Sequence, residues 1–277
     1  MTVGARTVKQ PAHTAGVPPP GLVTVTGTNF VNGAAATFSG TGVTVNSTTF
    51  VSATSLTANV TVTSGAATGA RNATVTNPDA GTAFCTNCFT VNAGPTVTST
   101  SPSSRGQGAA SQNVTVTGTN FVNGAAVTFS GTGVTVNSTT FVSATSLTAN
   151  ITVASGAATG ARNVTVTNPD AGNGSCSGCF TVNAGPTITS PNSTTPAIVP
   201  NGTSLPVTII GTGFQSGATV TISGNGFTLN STTFVSSSQL TINVTAKNGN
   251  GFKGTYDLTV TNPDGGLVTS AGSIVNQ

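Results

Sequence analysis

The chain repeats itself. Val23–Ala35 reads V-T-V-T-G-T-N-F-V-N-G-A-A, returns unchanged at Val114–Ala126, and returns more loosely at Val207–Thr219 as V-T-I-I-G-T-G-F-Q-S-G-A-T. Phe30, Phe121 and Phe214 hold the same place in each copy, 91 and then 93 residues apart. A second marker, Asn-Pro-Asp, keeps step at Asn77–Asp79, Asn168–Asp170 and Asn262–Asp264. The first two copies are near duplicates: from Val23–Gly81 to Val114–Gly172 four positions differ (Ala36/Val127, Val60/Ile151, Thr63/Ala154 and Ala73/Val164), all small or apolar. A unit of this size is long enough to bury a modest core of its own, so the 277 residues are expected to form three domains in tandem.

Within a copy the hydrophobic period is two. Val114 and Val116 alternate with Thr115 and Thr117, Val127 and Phe129 share a face, Leu147, Ala149 and Ile151 alternate with Thr148, Asn150 and Thr152, and Val164 and Val166 continue the pattern. β-Branched residues in strict alternation, bounded by Gly, Asn and Pro, mark half-buried antiparallel strands, and no stretch carries helical spacing. A first strand near Thr96–Ser101 and a last one at Phe180–Asn183 bring the expected count to about seven per unit, which fits a two-sheet sandwich. The fold class expected is all-β, three immunoglobulin-like sandwiches in a rod. The expected divisions are 1–21 for an N-terminal segment, then 22–93, 94–184 and 185–277. The joints, Phe89–Pro95 and Phe180–Pro186, share the sequence F-T-V-N-A-G-P, too short for a floppy tether.

The landmarks G-T-N-F-x-x-G-A, S-A-T-S-L-T-A, V-T-V-T-N-P-D and F-T-V, in that order and spacing, resemble the IPT/TIG family of immunoglobulin-like domains. The likeness covers all three copies. It implies the fold and says little about function, because this family serves in receptor ectodomains, transcription factors, carbohydrate-active enzymes and bacterial surface proteins, and one fold hosts many jobs. No catalytic residue belongs to its landmarks.

Composition narrows the function. Charged residues are 4% of the chain, and the surface is left to Thr, Ser, Asn and Gly. The net charge of +3 comes from scattered cations without a basic stripe or stacking aromatics, so nucleic acid is not an expected partner. No apolar run reaches the length of a membrane span, and the opening M-T-V-G-A-R-T-V-K-Q has no apolar signal-peptide region. There is no Glu, and the one His, His13, lies in the Pro-rich lead segment. Neither an acid pair nor a Ser-His-Asp or Cys-His set is in prospect, so no enzyme and no cofactor is expected.

Three residue patterns remain as candidate sites. Cys85/Cys88 and Cys176/Cys179 are C-x-x-C pairs between the Asn-Pro-Asp turn and the last strand. They are expected to close as local disulfides in an oxidising exterior. The alternatives are part of a metal site, which would need four ligands, and a redox motif, which would need a helix N-terminus. Twelve Asn-x-Ser/Thr triplets occur. Asn46, Asn59, Asn72, Asn137, Asn150, Asn163, Asn230 and Asn243 repeat at matching module positions and are the candidate glycan acceptors, with Asn113, Asn173, Asn192 and Asn201 beside them. A Thr-rich alternating sequence also produces such triplets by chance. Thr2, Val3, Arg6, Thr7, Val8 and Lys9, in the slot of a first strand, are the candidate inter-subunit strand. The competing reading makes them copy one's own strand. Threonine ladders of an ice-binding kind and calcium at Asp79, Asp170 and Asp264 are weaker readings than solvated strands and turn-capping aspartates. The phenylalanines are expected inside, leaving no aromatic platform for sugar.

The function expected is a structural subunit of an extracellular bacterial filament, assembling head to tail with copies of itself through the N-terminal strand. The alternatives are an adhesin stalk or glycan- or receptor-binding module of a larger surface protein, and a stalk cut from a larger enzyme.

Overall fold

The computed structural model describes residues 3–5, 10–11, 21–189, 194–195 and 198–277. Thr2, Arg6, Thr7, Val8, Lys9, His13 and Asn192 lie outside the described residues. The first module contains β1 Val3–Ala5, β2 Gln10–Pro11, β3 Gly21–Gly27, β4 Ala35–Phe38, β5 Val43–Ser52, β6 Ser55–Val62, β7 Gly69–Thr76 and β8 Thr82–Asn92. The second contains β9 Thr96–Ser101, β10 Ser104–Gly106, β11 Gln112–Thr119, β12 Ala126–Phe129, β13 Val134–Ser143, β14 Ser146–Val153, β15 Gly160–Thr167 and β16 Asn173–Asn183. The third contains β17 Thr187–Ile188, β18 Thr194–Thr195, β19 Ile198–Val199, β20 Ser204–Thr212, β21 Thr219–Ile222, β22 Phe227–Ser236, β23 Gln239–Ala246, β24 Gly254–Thr261 and β25 Leu267–Asn276, with one 3₁₀ turn at Asn250–Phe252.

Each module is two sheets face to face. In the second the orders are β9-β11-β14-β13 and β10-β16-β15-β12; the first module repeats them, and so does the third with β18 added beside β20. The alternation predicts this burial: β14 alternates half-buried and buried residues along its whole length, with Leu147, Ala149 and Ile151 inside. The buried residues fall into three clusters, one per module. Fully burying a Val, Leu, Ile or Phe side chain is worth about 1.5–3 kcal/mol, so each module carries its own driving force. Phe38 meets Phe89 at 4.5 Å and Phe129 meets Phe180 at 4.8 Å between ring centroids; in the third module Ile222 and Ile274 hold those two places, and Phe227 meets Tyr256 at 5.3 Å from the positions of Val134 and Arg162.

The two sequence markers travel together because they are bonded to each other. The buried Asn168 of Asn-Pro-Asp donates from Nδ2 to the carbonyl of Asn120 at 2.8 Å and accepts from the Val122 N–H at 3.1 Å. Those two backbone groups flank Phe121, which inserts into the core. Asn77 bonds Asn29 and Val31 around Phe30 in the same way, and Asn262 bonds Gly213 and Gln215 around Phe214. The Gly of G-T-N-F has a separate steric cause. A Cβ at Gly118 would lie 1.8 Å from the Thr96 carbonyl oxygen of the first strand, and at Gly211 it would lie 1.9 Å from that of Thr187.

Two expectations need correction. The first strand of the second module is split, β9 pairing antiparallel with β11 and β10 parallel with β16, so one segment edges both sheets and the count is eight rather than seven. The last strand is also longer than Phe180–Asn183, beginning at Asn173 directly after the Asn-Pro-Asp turn. The turn itself joins the last two strands, and the cysteines lie inside a strand.

Replacing Asn168 by Ala orphans a backbone carbonyl and a backbone N–H and should destabilise the second module by about 2 kcal/mol or more. Denaturant unfolding of the chain measures it, and a loss below about 0.5 kcal/mol would contradict the stapling role.

Candidate functional site

Four features outside the cores carry chemistry: the cysteine bulges, the asparagine rows, the joint between modules and the open sheet edges.

On β16, Cys176 stands opposite Val164 and Phe180 opposite Arg162, so Ser177, Gly178 and Cys179 together oppose Asn163. The module-one strand does the same with Cys85 opposite Ala73 and Phe89 opposite Arg71. This is a special bulge, three residues against one, on the last strand. Asn163 Oδ1 accepts from the Gly178 N–H at 3.0 Å, and Asn72 Oδ1 accepts from the Asn87 N–H at 2.9 Å. All four cysteines are half-buried thiols in the structure. The Cys88 thiol donates to the Cys85 carbonyl at 3.2 Å and the Cys179 thiol to the Cys176 carbonyl at 3.5 Å. Burial, then the neighbouring Cys176 thiol, pushes the Cys179 thiol up to about 12. Among the described residues no third His, Cys, Asp or Glu joins either pair to make a metal cluster.

The repeated asparagines do sit in register. Asn46 Nδ2 donates to Asn59 Oδ1 and Thr61 Oγ1, Asn137 to Asn150 and Thr152, and Asn230 to Asn243 and Thr245, at 2.8–3.0 Å. Asn150 Nδ2 in turn donates to the Ser111 carbonyl and to Asn113 Oδ1. These amides tie neighbouring strands, and a glycan on Nδ2 would replace a hydrogen already engaged. Asn72 and Asn163 engage only Oδ1, as acceptors of the bulge N–H and, at Asn163, of the Ser177 hydroxyl.

The aspartates of the three turns cap them. Asp79, Asp170 and Asp264 accept from Gly81, Gly172 and Gly266 N–H at 2.9, 3.4 and 3.0 Å. Asp264 does more. The Gly106 N–H donates to its carbonyl at 3.2 Å, the Leu267 N–H donates to the Gln107 carbonyl at 3.1 Å, and Asn183 Nδ2 and Gln215 Nε2 both donate to its Oδ2 at 3.0 Å. The second and third modules are thereby stitched through their backbones, with the Gly185 N–H held by Gln107 Oε1. The approach requires glycine on both sides, since a Cβ on Gly106 would stand 2.6 Å from Gly266 Cα. The first joint is built differently. Pro11 pairs with Asn92 as Gly106 pairs with Asn183, so the N–H donor is missing there, and Val122 stands where the third module has Gln215. An open cleft of about 280 Å³ lies at this joint, lined by Asn92, Asn120, Phe121, Asn168 and Asp170.

β5 and β4 are edges of their two sheets, as are β13 and β12 in the second module and β22 and β21 in the third. β5 and β13 read V-T-V-N-S-T-T-F-V-S over ten residues without charge or proline, and β22 is F-T-L-N-S-T-T-F-V-S. Each carries two register shifts. Open grooves of about 430 and 470 Å³ run between the paired edges in the first two modules. At the N-terminus, Val3–Ala5 pairs with Gly27, Thr26 and Val25 of its own module. One expectation about aromatic residues fails. Phe84 is 69% exposed on β8, where the second module has Ser175 and the third Thr269, because its parity is opposite to that of Phe89.

Residues 95–183, the second module, match the IPT/TIG domain family. No curated protein matches the chain. Among solved structures, the I-band fragment I67–I69 of titin aligns over 99% of this chain and 97% of its own at 16% identity and TM-score 0.26. The Escherichia coli adhesin FdeC aligns over 98% and 95% at 18% identity and TM-score 0.27. The Bacteroides ovatus protein SGBP-B, in complex with a mixed-linkage heptasaccharide, aligns over 99% and 67% at 14% identity and TM-score 0.26. Likeness of that degree transfers no partner to this chain.

Gly106→Ala should leave the fold of each module intact and break the second joint. Small-angle scattering should then show a wider distribution of molecular lengths, and an unchanged profile would contradict the stitched joint. In reduced protein at pH 8, alkylation of Cys179 should be slower than in the unfolded chain and rise as pH approaches about 12. Equal rates in the two states would contradict its environment.

Proposed function

We propose that this chain, whose second module is an IPT/TIG domain and whose first is nearly identical to it, is a structural element of the cell exterior that assembles with copies of itself. The observation that carries the reading is the long, uncharged edge strand at β5, β13 and β22, paired on its inner side and open on its outer one among the described residues, and written almost identically three times. A sheet edge exposes a row of N–H and C=O groups that templates another strand, and soluble domains ordinarily protect it with charge or proline. Here, among the described residues, bulges and side-chain amides take that part. A chain with 4% charged residues adds little like-charge repulsion between copies.

Head-to-tail extension of a bacterial filament through the N-terminal strand is the finer form of this proposal. Val3–Ala5 lies at the edge of its sheet with β3 on one side, a position from which a strand can be exchanged between copies. The proposal assigns no reaction, cofactor, nucleic acid or membrane span to the chain. No helix of the described residues is long and apolar enough to cross a membrane. Glycans on such a surface would sit at Asn72 and Asn163 in preference to Asn46, Asn137 and Asn230, whose amide hydrogens are committed.

A second reading, the stalk of a larger adhesin or binding protein, is favoured by the stitched second joint, which suits a spacer. Electron microscopy of the purified chain separates the two: filaments support self-assembly, and isolated rods at high concentration support the stalk. The variant Thr44→Lys, Thr135→Lys, Thr228→Lys places a charge on each edge and should abolish lateral association, while deletion of residues 1–20 should abolish lengthwise growth. Filaments of normal width and length from both would refute the proposal.

A further inference from the structure

The third module has no cysteine, yet it builds the same bulge. Leu258 stands opposite Ser270 and Tyr256 opposite Ile274, so Ala271, Gly272 and Ser273 oppose Asp257 alone. The middle residue is left-handed in all three modules, with φ of 54° at Asn87, 63° at Gly178 and 59° at Gly272. Its N–H donates to the side-chain oxygen of the opposing residue in each, and at Gly272 the acceptor is Asp257 Oδ1 at 2.8 Å. The backbone is therefore one structure written three times, and what varies is the pair that flanks it: Cys85/Cys88, Cys176/Cys179 and Ser270/Ser273.

In the third module this pair touches. Ser273 Oγ lies 2.5 Å from Ser270 Oγ and donates to the Ser270 carbonyl at 3.1 Å. The thiols of Cys88 and Cys179 donate to the equivalent carbonyls, so the two side chains converge on one side of the bulge in every module. A disulfide requires its Cβ atoms about 3.5–4.5 Å apart, and the contact of the serine hydroxyls shows that side chains at these two positions of the bulge can meet. Sulfur adds reach on both sides. A redox motif of the thioredoxin kind would need a helix N-terminus, whereas these pairs lie within strands.

We propose that Cys85–Cys88 and Cys176–Cys179 are oxidative modification sites that close as two disulfides, each inside a single strand, and that Ser270–Ser273 is the non-covalent counterpart in the third module. The oxidant is a small-molecule disulfide such as oxidised glutathione. Each closure forms one S–S bond, and the two electrons and two protons given up by the thiols reduce one oxidant molecule to two thiols. The closed loop spans four residues, so little unfolded-state entropy is removed and the effect is local. The bond fastens the bulge and withdraws its thiols from cross-linking between neighbouring chains. This inference stands on the bulge alone and survives failure of the assembly proposal.

Intact mass before and after exposure to oxidised glutathione tests it. Closure lowers the mass by two hydrogens per pair, and peptide mapping should find Cys85 joined to Cys88 and Cys176 to Cys179. The variant Ser270→Cys, Ser273→Cys should gain a third internal disulfide under the same treatment, with a further loss of two hydrogens. Persisting free thiols, stable glutathione adducts, disulfides between chains or a retained metal ion would overturn it. A double variant that folds but keeps its two new thiols free would show that the bulge geometry does not impose closure.

Discussion

The architecture depends on a buried amide. In each module one Asn side chain, at the start of Asn-Pro-Asp, satisfies the carbonyl before a core Phe and the N–H after it. The Phe has to leave the strand and drop into the core, which strips two neighbouring backbone groups of ladder partners. Buried groups of that kind cost free energy if left unpaired. A single Asn carries both a donor and an acceptor at the required separation, and Asp or Leu would not. That requirement explains why the Phe motif, G-T-N-F in the first two copies and G-T-G-F in the third, recurs with Asn-Pro-Asp although the third copy diverges at many other positions.

The third copy shows what the fold demands and what it tolerates. Arg71 and Arg162 each donate Nη2 to the carbonyl four residues earlier, at Ala67 and Ala158, and Tyr256 sends its hydroxyl to Phe252 from the same register at 2.7 Å. Arg and Tyr are chemically unlike, yet each ends in a donor that reaches the carbonyl four residues back. The Cys-to-Ser exchange in the bulge follows the same logic. The joints tolerate less. Gly106 and Gly266 allow two backbones to bond between the second and third modules, whereas Pro11 in the corresponding register of the first removes the donor. One rod thus carries two kinds of joint.

Much of this was legible in the sequence. Alternation at Val114/Val116 and Leu147/Ala149/Ile151 placed the core face, and the turn role of Asp79, Asp170 and Asp264 followed from Asp beside Gly. The bulge was not legible, because C-T-N-C-F interrupts the period of two and reads as the end of one element and the start of another. The stitched joint was hidden too, since Gly106 and Asp264 are far apart in the chain and meet only once the register is known. Phe84 did carry a signal. Ser175 and Thr269 at its position mark a solvent-facing site.

The central claim, that the Asn amide locks each core Phe in place, is open to a direct measurement. Val31 and Val122 are 49% and 42% exposed, yet their N–H groups donate to Asn77 and Asn168. Native-state hydrogen exchange, read residue by residue, should find both amides, and that of Gln215, protected to the level of their module's global unfolding. Exchange at the rate of an open loop would show that the staple does not hold the fold.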